Sequence, residues 1–121
     1  MDDVENGEEE IITSLANPEI TDKYKIAATI ANSALAFVAA QCVPGASVLA
    51  LCQGGDDYIR AECAKVCQKQ KNILKGVSFP TSISLNNTAA NFSPLKGDPE
   101  VLIKEGDIVK MYAYSCHCVS L

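Results

Sequence analysis

The chain has 121 residues, 48% of them hydrophobic, which is enough for one domain with a modest core and too few for two. Its formal net charge is -5. Six acids and no base lie among residues 1–10, so the rest of the chain carries nine acids against ten bases and has no global attraction to nucleic acid.

The first segment, residues 1–16, is acidic at its start and shows no periodic pattern afterwards, which predicts a flexible tail. It lacks the basic start and apolar stretch of a secretory signal. We therefore expect a cytoplasmic or nuclear protein, or one found in both compartments. In either compartment its six cysteines should be mostly reduced thiols.

A first helix is predicted from Asn17, which can cap it, followed by Pro18 at the first helical position. It should end near Cys42, because Pro44 and Gly45 cannot continue it. The apolar positions at helical spacing, which predict its buried side, are Tyr24, Ala27, Ala31, Leu35, Val38 and Cys42. The uncharged run over residues 26–55 also suits a membrane span, but its polar residues and Pro44 favour a buried helix and no membrane contact.

A second helix is predicted after Ser47, a suitable cap. Gly54 and Gly55 each cost about 1 kcal/mol relative to alanine inside a helix, so we expect a break or kink there. The predicted apolar side of this helix is Val48, Cys52, Ile59, Cys63 and Val66. Cations suit a helix C-terminus, and the predicted helix ends in Lys65, Lys69, Lys71 and Lys75.

A strand is predicted from Val77 to Leu85, where apolar and small polar residues alternate. Pro80 interrupts the alternation, so the strand should be bent or lie at an edge. Asn86 and Asn87 supply a turn. After a loop-like segment, a final strand is predicted at Ile108, Val109, Met111, Tyr112 and Tyr114.

Two stretches carry a family resemblance. Residues 75–87 read Lys-Gly-Val-Ser-Phe-Pro-Thr-Ser-Ile-Ser-Leu-Asn-Asn, and residues 92–96 read Phe-Ser-Pro-Leu-Lys. They resemble the substrate-pocket segment of the methionine aminopeptidase-like, or peptidase M24 (pita-bread), proteins, most closely the proliferation-associated, ErbB-binding branch. The resemblance runs from about Thr21 to Lys110.

The resemblance implies an α/β (α+β) fold, with two helices packed on an antiparallel sheet as a partial pita-bread half-domain. Residues 17–110 would form this partial domain, truncated at its C-terminal side relative to the family, and residues 111–121 would be a divergent tail. The sheet face that a second half-domain covers in complete members should then be exposed. We expect Phe79, Ile83 and Leu85 on that face, and self-association or a protein partner there.

The resemblance also bears on catalysis. Asn91 stands where the aminopeptidases have a histidine that helps to bind substrate, and an amide cannot exchange a proton near neutral pH. After Lys110 and Met111, Tyr112 stands where they have their first metal-binding aspartate. We expect no enzyme activity, no metal or other cofactor, and no small-molecule substrate. The expected remains of the pocket are Phe79, Pro80, Asn86, Asn87, Asn91 and Tyr112.

The resemblance implies, as the first hypothesis for function, a non-catalytic protein that associates with the ribosome or with RNA and that regulates growth and transcription. The alternatives are a vestigial methionine aminopeptidase and a truncated isoform without autonomous function. Lys65, Lys69, Lys71 and Lys75 are either a solvated helix end or contacts for RNA phosphates. A four-ligand zinc site is conceivable among Cys63, Cys67, Cys116, His117 and Cys118. The spacing of these residues matches no common zinc module, so we favour ordinary thiols of the core and the tail over zinc ligands.

Overall fold

A computed structural model of the protein describes residues 15–66 and 75–117, with the backbone alone at residue 75 and at residues 115–117. Two helices, α1 (Pro18–Gln41) and α2 (Val48–Lys65), precede two strands, β1 (Lys75–Leu85) and β2 (Val109–His117). The strands form an antiparallel sheet. Helix α2 packs mainly on β1, and α1 packs on β2 and on α2. The predicted α/β arrangement of two helices on an antiparallel sheet is confirmed.

Helix α1 begins as predicted, because the side chain of Asn17 accepts a hydrogen bond from the Glu19 amide at 3.0 Å. Its buried side is only partly the predicted one. Ala27 and Val38 are buried, whereas Tyr24 is 59% exposed and Leu35 36% exposed. The buried residues of this helix are Ile20, Ala27, Ile30, Ala34 and Val38.

The cause of this error is the composition of α1. Alanines occur on several sides of the helix, so two neighbouring stripes at helical spacing are both apolar, and the sequence alone does not separate them. The stripe with Ile30 and Ala34 is buried because it meets Ile59 and Cys63 of α2 in a shared core cluster. No helix in the described residues is long and apolar enough to cross a membrane.

Helix α2 buries the predicted side: Val48, Cys52, Ile59 and Cys63 are all at most 2% exposed. The predicted break at Gly54 and Gly55 is wrong, since the helix is continuous from Val48 to Lys65. A Cβ atom at Gly55 would lie only 2.8 Å from Thr81 Oγ1 and 3.0 Å from Val38 Cγ2. Gly55 therefore permits close contact of α2 with β1 and α1, and packing outweighs the weak helix propensity of glycine.

Strand β1 is bent around Pro80, as predicted. Its pairing with β2 is irregular between Val77 and Phe79 and again between Phe79 and Ser82. Phe79 pairs with Tyr114 and Ser82 with Tyr112, so three steps on β1 match two steps on β2. The predicted turn at Asn86 is confirmed, with Asn86 at φ 50°.

The additional residue on β1 between Phe79 and Ser82 explains why the predicted exposure of Ile83 and Leu85 is wrong. Phe79 is 45% exposed as expected, but Ile83 is fully buried and Leu85 is half-buried against the core. Phe79 and Ile83 are four positions apart and would share a face in a regular strand. One additional residue between them reverses the faces, so Ile83 points toward the helices.

The loop between the strands completes the core beneath the helices. Ile103 is 5% exposed and packs with Val38, Val48 and Ile83. Its amide donates to the Ala46 carbonyl at 2.9 Å, and its carbonyl accepts from the Gly45 amide at 2.6 Å. The loop is thereby attached to the connection between α1 and α2, which fixes the entry to β2.

Candidate functional site

The most exposed apolar surface on the sheet is a group of three aromatic side chains, called here the aromatic face. It consists of Phe79 on β1 and of Tyr112 and Tyr114 on β2, which are 45%, 45% and 41% exposed. The Phe79 ring meets Tyr114 edge to face, with centroids 5.6 Å apart. The rings of Tyr112 and Tyr114 are parallel within 13°, with centroids 6.5 Å apart. Residues 112 and 114 share a side of β2 because strand side chains alternate.

Of the residues predicted as remains of a pocket, Phe79 and Tyr112 lie on this face, and Tyr114 was not predicted as a site residue. A sequence signal for Tyr114 existed: two tyrosines two positions apart on one strand point the same way. What the sequence did not contain was the pairing of Tyr114 with Phe79, because that depends on the irregularity at Pro80.

Asn86 has a structural role at one end of the sheet. Its amide nitrogen Nδ2 donates to Asp107 Oδ1, and its Oδ1 accepts from the Ile108 amide, each at 3.0 Å. Lys110 Nζ also donates to the Asn86 carbonyl at 2.7 Å. The hydrogen bond from Asn86 and that from the Lys104 amide hold the pKa of Asp107 below its usual value. This network fastens the turn after β1 to the start of β2.

The remaining pocket residues are dispersed. Asn87 is exposed in the turn, and Asn91 is exposed in the following loop at φ 64°, a left-handed conformation that asparagine tolerates. Phe92, the next residue, is attached to β1: its amide donates to Ser84 Oγ at 3.2 Å and its carbonyl accepts from the Ile83 amide at 2.9 Å. The loop therefore covers one edge of β1.

Pro80 lines a cleft of about 530 Å³, together with Cys52 and Asp56 of α2 and with Ser93. Asp56 Oδ1 accepts a hydrogen bond from the Thr81 amide at 2.8 Å, which binds α2 to the bend in β1. Burial, with a smaller effect of the Asp56 charge, raises the pKa of Cys52 to about 11. Such a thiol is protonated at neutral pH and is a poor nucleophile or metal ligand.

The four candidate RNA-binding lysines are only partly within the described residues. Lys65 is the last residue of α2 and its Nζ lies 2.7 Å from Glu62 Oε1, which raises the pKa of this lysine. Lys75 begins β1 rather than ending a helix, so its predicted helical position is wrong. Lys69 and Lys71 lie outside the described residues.

The imagined zinc ligands are likewise divided. Cys63 is buried in the core between the helices, with its Sγ 3.9 Å from the Gly76 carbonyl oxygen. Cys116 and His117 are in β2 with backbone positions only, and Cys67 and Cys118 lie outside the described residues. Within the described ranges, no group of three or more His, Cys, Asp or Glu side chains could hold a metal ion.

Comparison with known proteins identifies the class of proteins to which this fold belongs. No protein-family profile matches the chain. The structure of a thermophilic Arx1 superimposes with a TM-score of 0.74 at 31% identity, over 83% of this chain and 27% of that one. The chain is also 31% identical over 99 residues to methionine aminopeptidase 2-1 of Aspergillus terreus, covering 80% of this chain and 22% of that protein. The fold is therefore that of the methionine aminopeptidase-like, pita-bread class.

More similar sequences narrow this class. The chain is 49% identical over 106 residues to proliferation-associated protein A of Dictyostelium discoideum, covering 88% of this chain. It is 45% identical over 116 residues to ErbB-3 binding protein 1 of Arabidopsis thaliana, covering 95% of this chain. It spans 27% and 29% of the length of these two relatives. Over that segment the chain is a relative of the proliferation-associated, ErbB-3-binding branch, which confirms the resemblance.

Proposed function

We propose that this chain is a non-catalytic aminopeptidase-like protein that acts by binding the ribosome or RNA. Growth and transcription regulation, in the cytoplasm, the nucleus or both, is the process in which it would act. The names of two relatives support a binding role: ErbB-3 binding protein 1, and a curved DNA-binding protein of Schizosaccharomyces pombe that is 42% identical over 100 residues. The latter match covers 81% of this chain and 26% of that protein.

The observation that carries the proposal is the position of Tyr112. Its side chain lies on an exposed strand face beside two other aromatic rings. The resemblance assigns an acidic metal ligand to this position, and a neutral phenol is a poor ligand for a hard divalent cation. Asn91, assigned to the substrate-binding histidine, is an exposed loop residue without an acid–base group. Both positions therefore lack the metal-binding or acid–base group that catalysis would need, and both side chains are exposed to solvent.

An assay of methionine release separates this proposal from a vestigial aminopeptidase. The purified chain is incubated with a methionine-initiated peptide and with Mn²⁺ or Co²⁺, and free methionine is measured. We expect no release above the protein-free control, because neither proposed position can hold or activate a metal-bound water. Release that Tyr112→Phe or Asn91→Ala abolishes, while Tyr24→Phe leaves it unchanged, would establish the aminopeptidase instead.

The third alternative, a truncated isoform without autonomous function, predicts a different abundance of the protein in the cell. Such a product should be cleared, so its endogenous abundance would be very low relative to that of its transcript. A functional binding protein should accumulate in proportion to the transcript. Quantitative mass spectrometry beside transcript counting measures both, and a protein level near the detection limit would contradict the proposal.

The proposed contact with RNA phosphates is tested by salt dependence. Each phosphate neutralised on a single strand contributes about 0.7 to the slope of log affinity against log salt. Changing Lys65, Lys69, Lys71 and Lys75 together to glutamine should therefore reduce that slope by up to about 3. Changing Lys23 and Lys25 of α1 instead serves as a control that removes two cations elsewhere. Equal slopes for the two variants would show that the lysine group makes no phosphate contact.

A further inference from the structure

We infer that β2 pairs through its free edge with β2 of a second copy of the chain, antiparallel and with Ala113 at the twofold axis. The inference goes beyond the proposed binding role and does not depend on it. It concerns the backbone groups along the edge of the sheet rather than the aromatic face.

The direction of the backbone groups in β2 defines this free edge. Within the described ranges the sheet has only β1 and β2, so β2 has a neighbouring strand on one side. The Asn86 amide donates to the Ile108 carbonyl at 2.9 Å. Backbone groups alternate in direction along a strand, so those of Lys110 and Tyr112 are also directed toward β1. The residues whose backbone groups are directed away from β1 are Val109, Met111 and Ala113.

The opposite edge of the sheet, on β1, is protected. The Ile83 amide donates to the Phe92 carbonyl at 2.9 Å, so the loop after β1 covers part of this edge. The Thr81 amide donates to Asp56 Oδ1 at 2.8 Å. Pro80 and the irregular pairing around it interrupt the edge further. A covering loop, a proline and a bulge are all devices by which natural sheets prevent pairing at an edge.

The edge of β2 has none of these devices in the described residues. The strand contains no proline, and the additional residues of the irregular pairing lie on β1, so Val109–His117 is a regular strand of nine residues. A lysine can also protect an edge. However, Lys110 Nζ donates to the Asn86 carbonyl at 2.7 Å and is therefore held on the β1 side. The free edge of β2 is long and regular, as strand pairing requires.

The helices cover the inner side chains of β2 but cannot pair with its edge. Met111 packs on the core cluster that contains Ile83, and Ala113 packs on the cluster between the two helices. The backbone groups inside a helix are already hydrogen-bonded to one another, so they cannot satisfy the edge of a strand. The occupant of this edge must therefore offer alternating amides and carbonyls of its own, as another β-strand does.

A second copy of β2 meets this requirement. Ala113 is the middle residue of Val109–His117, so antiparallel pairing about Ala113 aligns the whole strand with its copy through one self-complementary contact. In this register Lys110 does not face its own copy, so like charges are kept apart. Tyr112 faces Tyr114 of the second copy in a pair without hydrogen bonds, the type in which opposite side chains lie closest.

The size of the contact predicts a weak dimer. A single pair of strands buries less surface than the roughly 800 Å² per partner of a standard stable interface. We therefore expect a dissociation constant on the order of 10 µM. At higher concentration the two sheets would join into one continuous sheet in the order β1-β2-β2-β1, which has no free β2 edge.

The experiment follows the mass of the whole chain by sedimentation velocity from about 1 µM to about 1 mM, in reducing buffer so that no disulfide joins two copies. Ala113→Pro removes the central outward amide. Tyr112→Glu with Tyr114→Glu places like charges opposite each other, whereas Tyr112→Glu with Tyr114→Lys places opposite charges there. Tyr24→Glu with Ala28→Glu adds the same charge as the first pair to exposed positions of α1. Circular dichroism establishes that each variant is folded.

We expect the parent chain to dimerise as its concentration rises. Ala113→Pro should weaken dimerisation at least about tenfold, because it removes a hydrogen bond at the axis and its ring lies in the edge. The two-glutamate variant of β2 should weaken it about 5- to 50-fold. The variant with glutamate and lysine, and the control on α1, should both stay within about threefold of the parent chain.

Amide hydrogen exchange of the parent chain tests the edge without any substitution. The outward amides of Val109, Met111 and Ala113 should exchange more slowly as the concentration rises. The amides of Lys110 and Tyr112, which are directed toward β1, should show little change. This measurement decides the question if the variants of β2 do not fold.

Three outcomes would overturn the inference. The first is a parent chain that remains monomeric over the whole concentration range. The second is a dimer that Ala113→Pro and the two-glutamate variant leave unchanged and in which the outward amides exchange as in the monomer, since its contact would then lie elsewhere. The third is equal weakening by the two β2 charge variants, which would refute the pairing about Ala113.

Discussion

The two faces of the sheet differ in how far their apolar side chains are buried. The inner face buries Ile83 completely against the helices, whereas the outer face leaves Phe79 45% exposed although the two residues belong to the same strand. One irregularity beside Pro80 separates them. The difference shows that the helix-facing layer forms the core and that the outer layer leaves apolar rings exposed to solvent. Substitutions on either side of Pro80 should therefore have very different effects.

The largest difference is expected between Ile83→Ala and Phe79→Ala. Ile83 is fully buried, so its truncation should lower the free energy of unfolding by about 2–5 kcal/mol through lost contacts and a cavity. Phe79 is nearly half exposed, and its truncation should cost clearly less, about 1 kcal/mol. Urea denaturation of both variants measures this. Equal losses would mean that the outer face is also part of the core.

The inner contact between α2 and β1 can be tested with two adjacent glycines. Gly55→Ala should destabilise the fold by about 1–3 kcal/mol, since its Cβ would lie 2.8 Å from Thr81 Oγ1. Gly54→Ala meets nothing closer than Phe37 Cε1 at 3.9 Å and should stabilise by up to about 1 kcal/mol through helix propensity. Thermal unfolding gives both values. The same sign for both variants would contradict the close contact.

Two buried serines of β1 form a finer comparison. Ser84 Oγ accepts the Phe92 amide, so Ser84→Ala should cost about 0.5–1.5 kcal/mol and loosen the loop at the edge of β1. Ser82 Oγ is buried and has no hydrogen-bond partner within the described residues, so Ser82→Ala should be neutral or slightly stabilising. A stabilising Ser84→Ala in chemical denaturation would disprove the role of this hydrogen bond.

The smallest effect is expected at the exposed end of the sheet. The pKa of Asp107 is lowered in the folded chain, so its contribution to stability is present above its unfolded pKa and is lost as the pH falls through the lower folded pKa. Asp107→Asn should remove this part of the acid dependence, measured by thermal unfolding from about pH 5 to about pH 2. Asp98→Asn, in the neighbouring loop, is the control. Identical pH profiles for the parent chain and Asp107→Asn would contradict the network around Asn86.

The sequence predicted the elements of the fold better than their contacts. The buried side of α2 was predicted correctly at Val48, Cys52, Ile59 and Cys63 because the charged residues Asp57, Arg60 and Lys65 lie on its other sides. The buried side of α1 was not, since Ala31 and Leu35 compete with Ile30 and Ala34 and only contact with α2 decides between them. The continuity of α2 through Gly55 also depends on a partner, Thr81, that local propensity does not include.

The candidate site was predicted in part for a similar reason. The exposure of Phe79 followed from the expected uncovered sheet face, but the burial of Ile83 did not, because the sequence shows a proline without showing where the pairing slips. Tyr114 joins the aromatic face only through its partner across the sheet. The pocket residues assigned by resemblance are dispersed over strand, turn and loop.

The proposal that the chain holds no catalytic metal ion is tested most directly by calorimetric titration of the chain with Mn²⁺. We predict no stoichiometric binding, because the resemblance assigns Tyr112 and Asn91 to the positions where the aminopeptidases supply a carboxylate and an imidazole. Binding of one or more ions per chain, weakened by Tyr112→Phe or Asn91→Ala and unaffected by Tyr24→Phe, would contradict it.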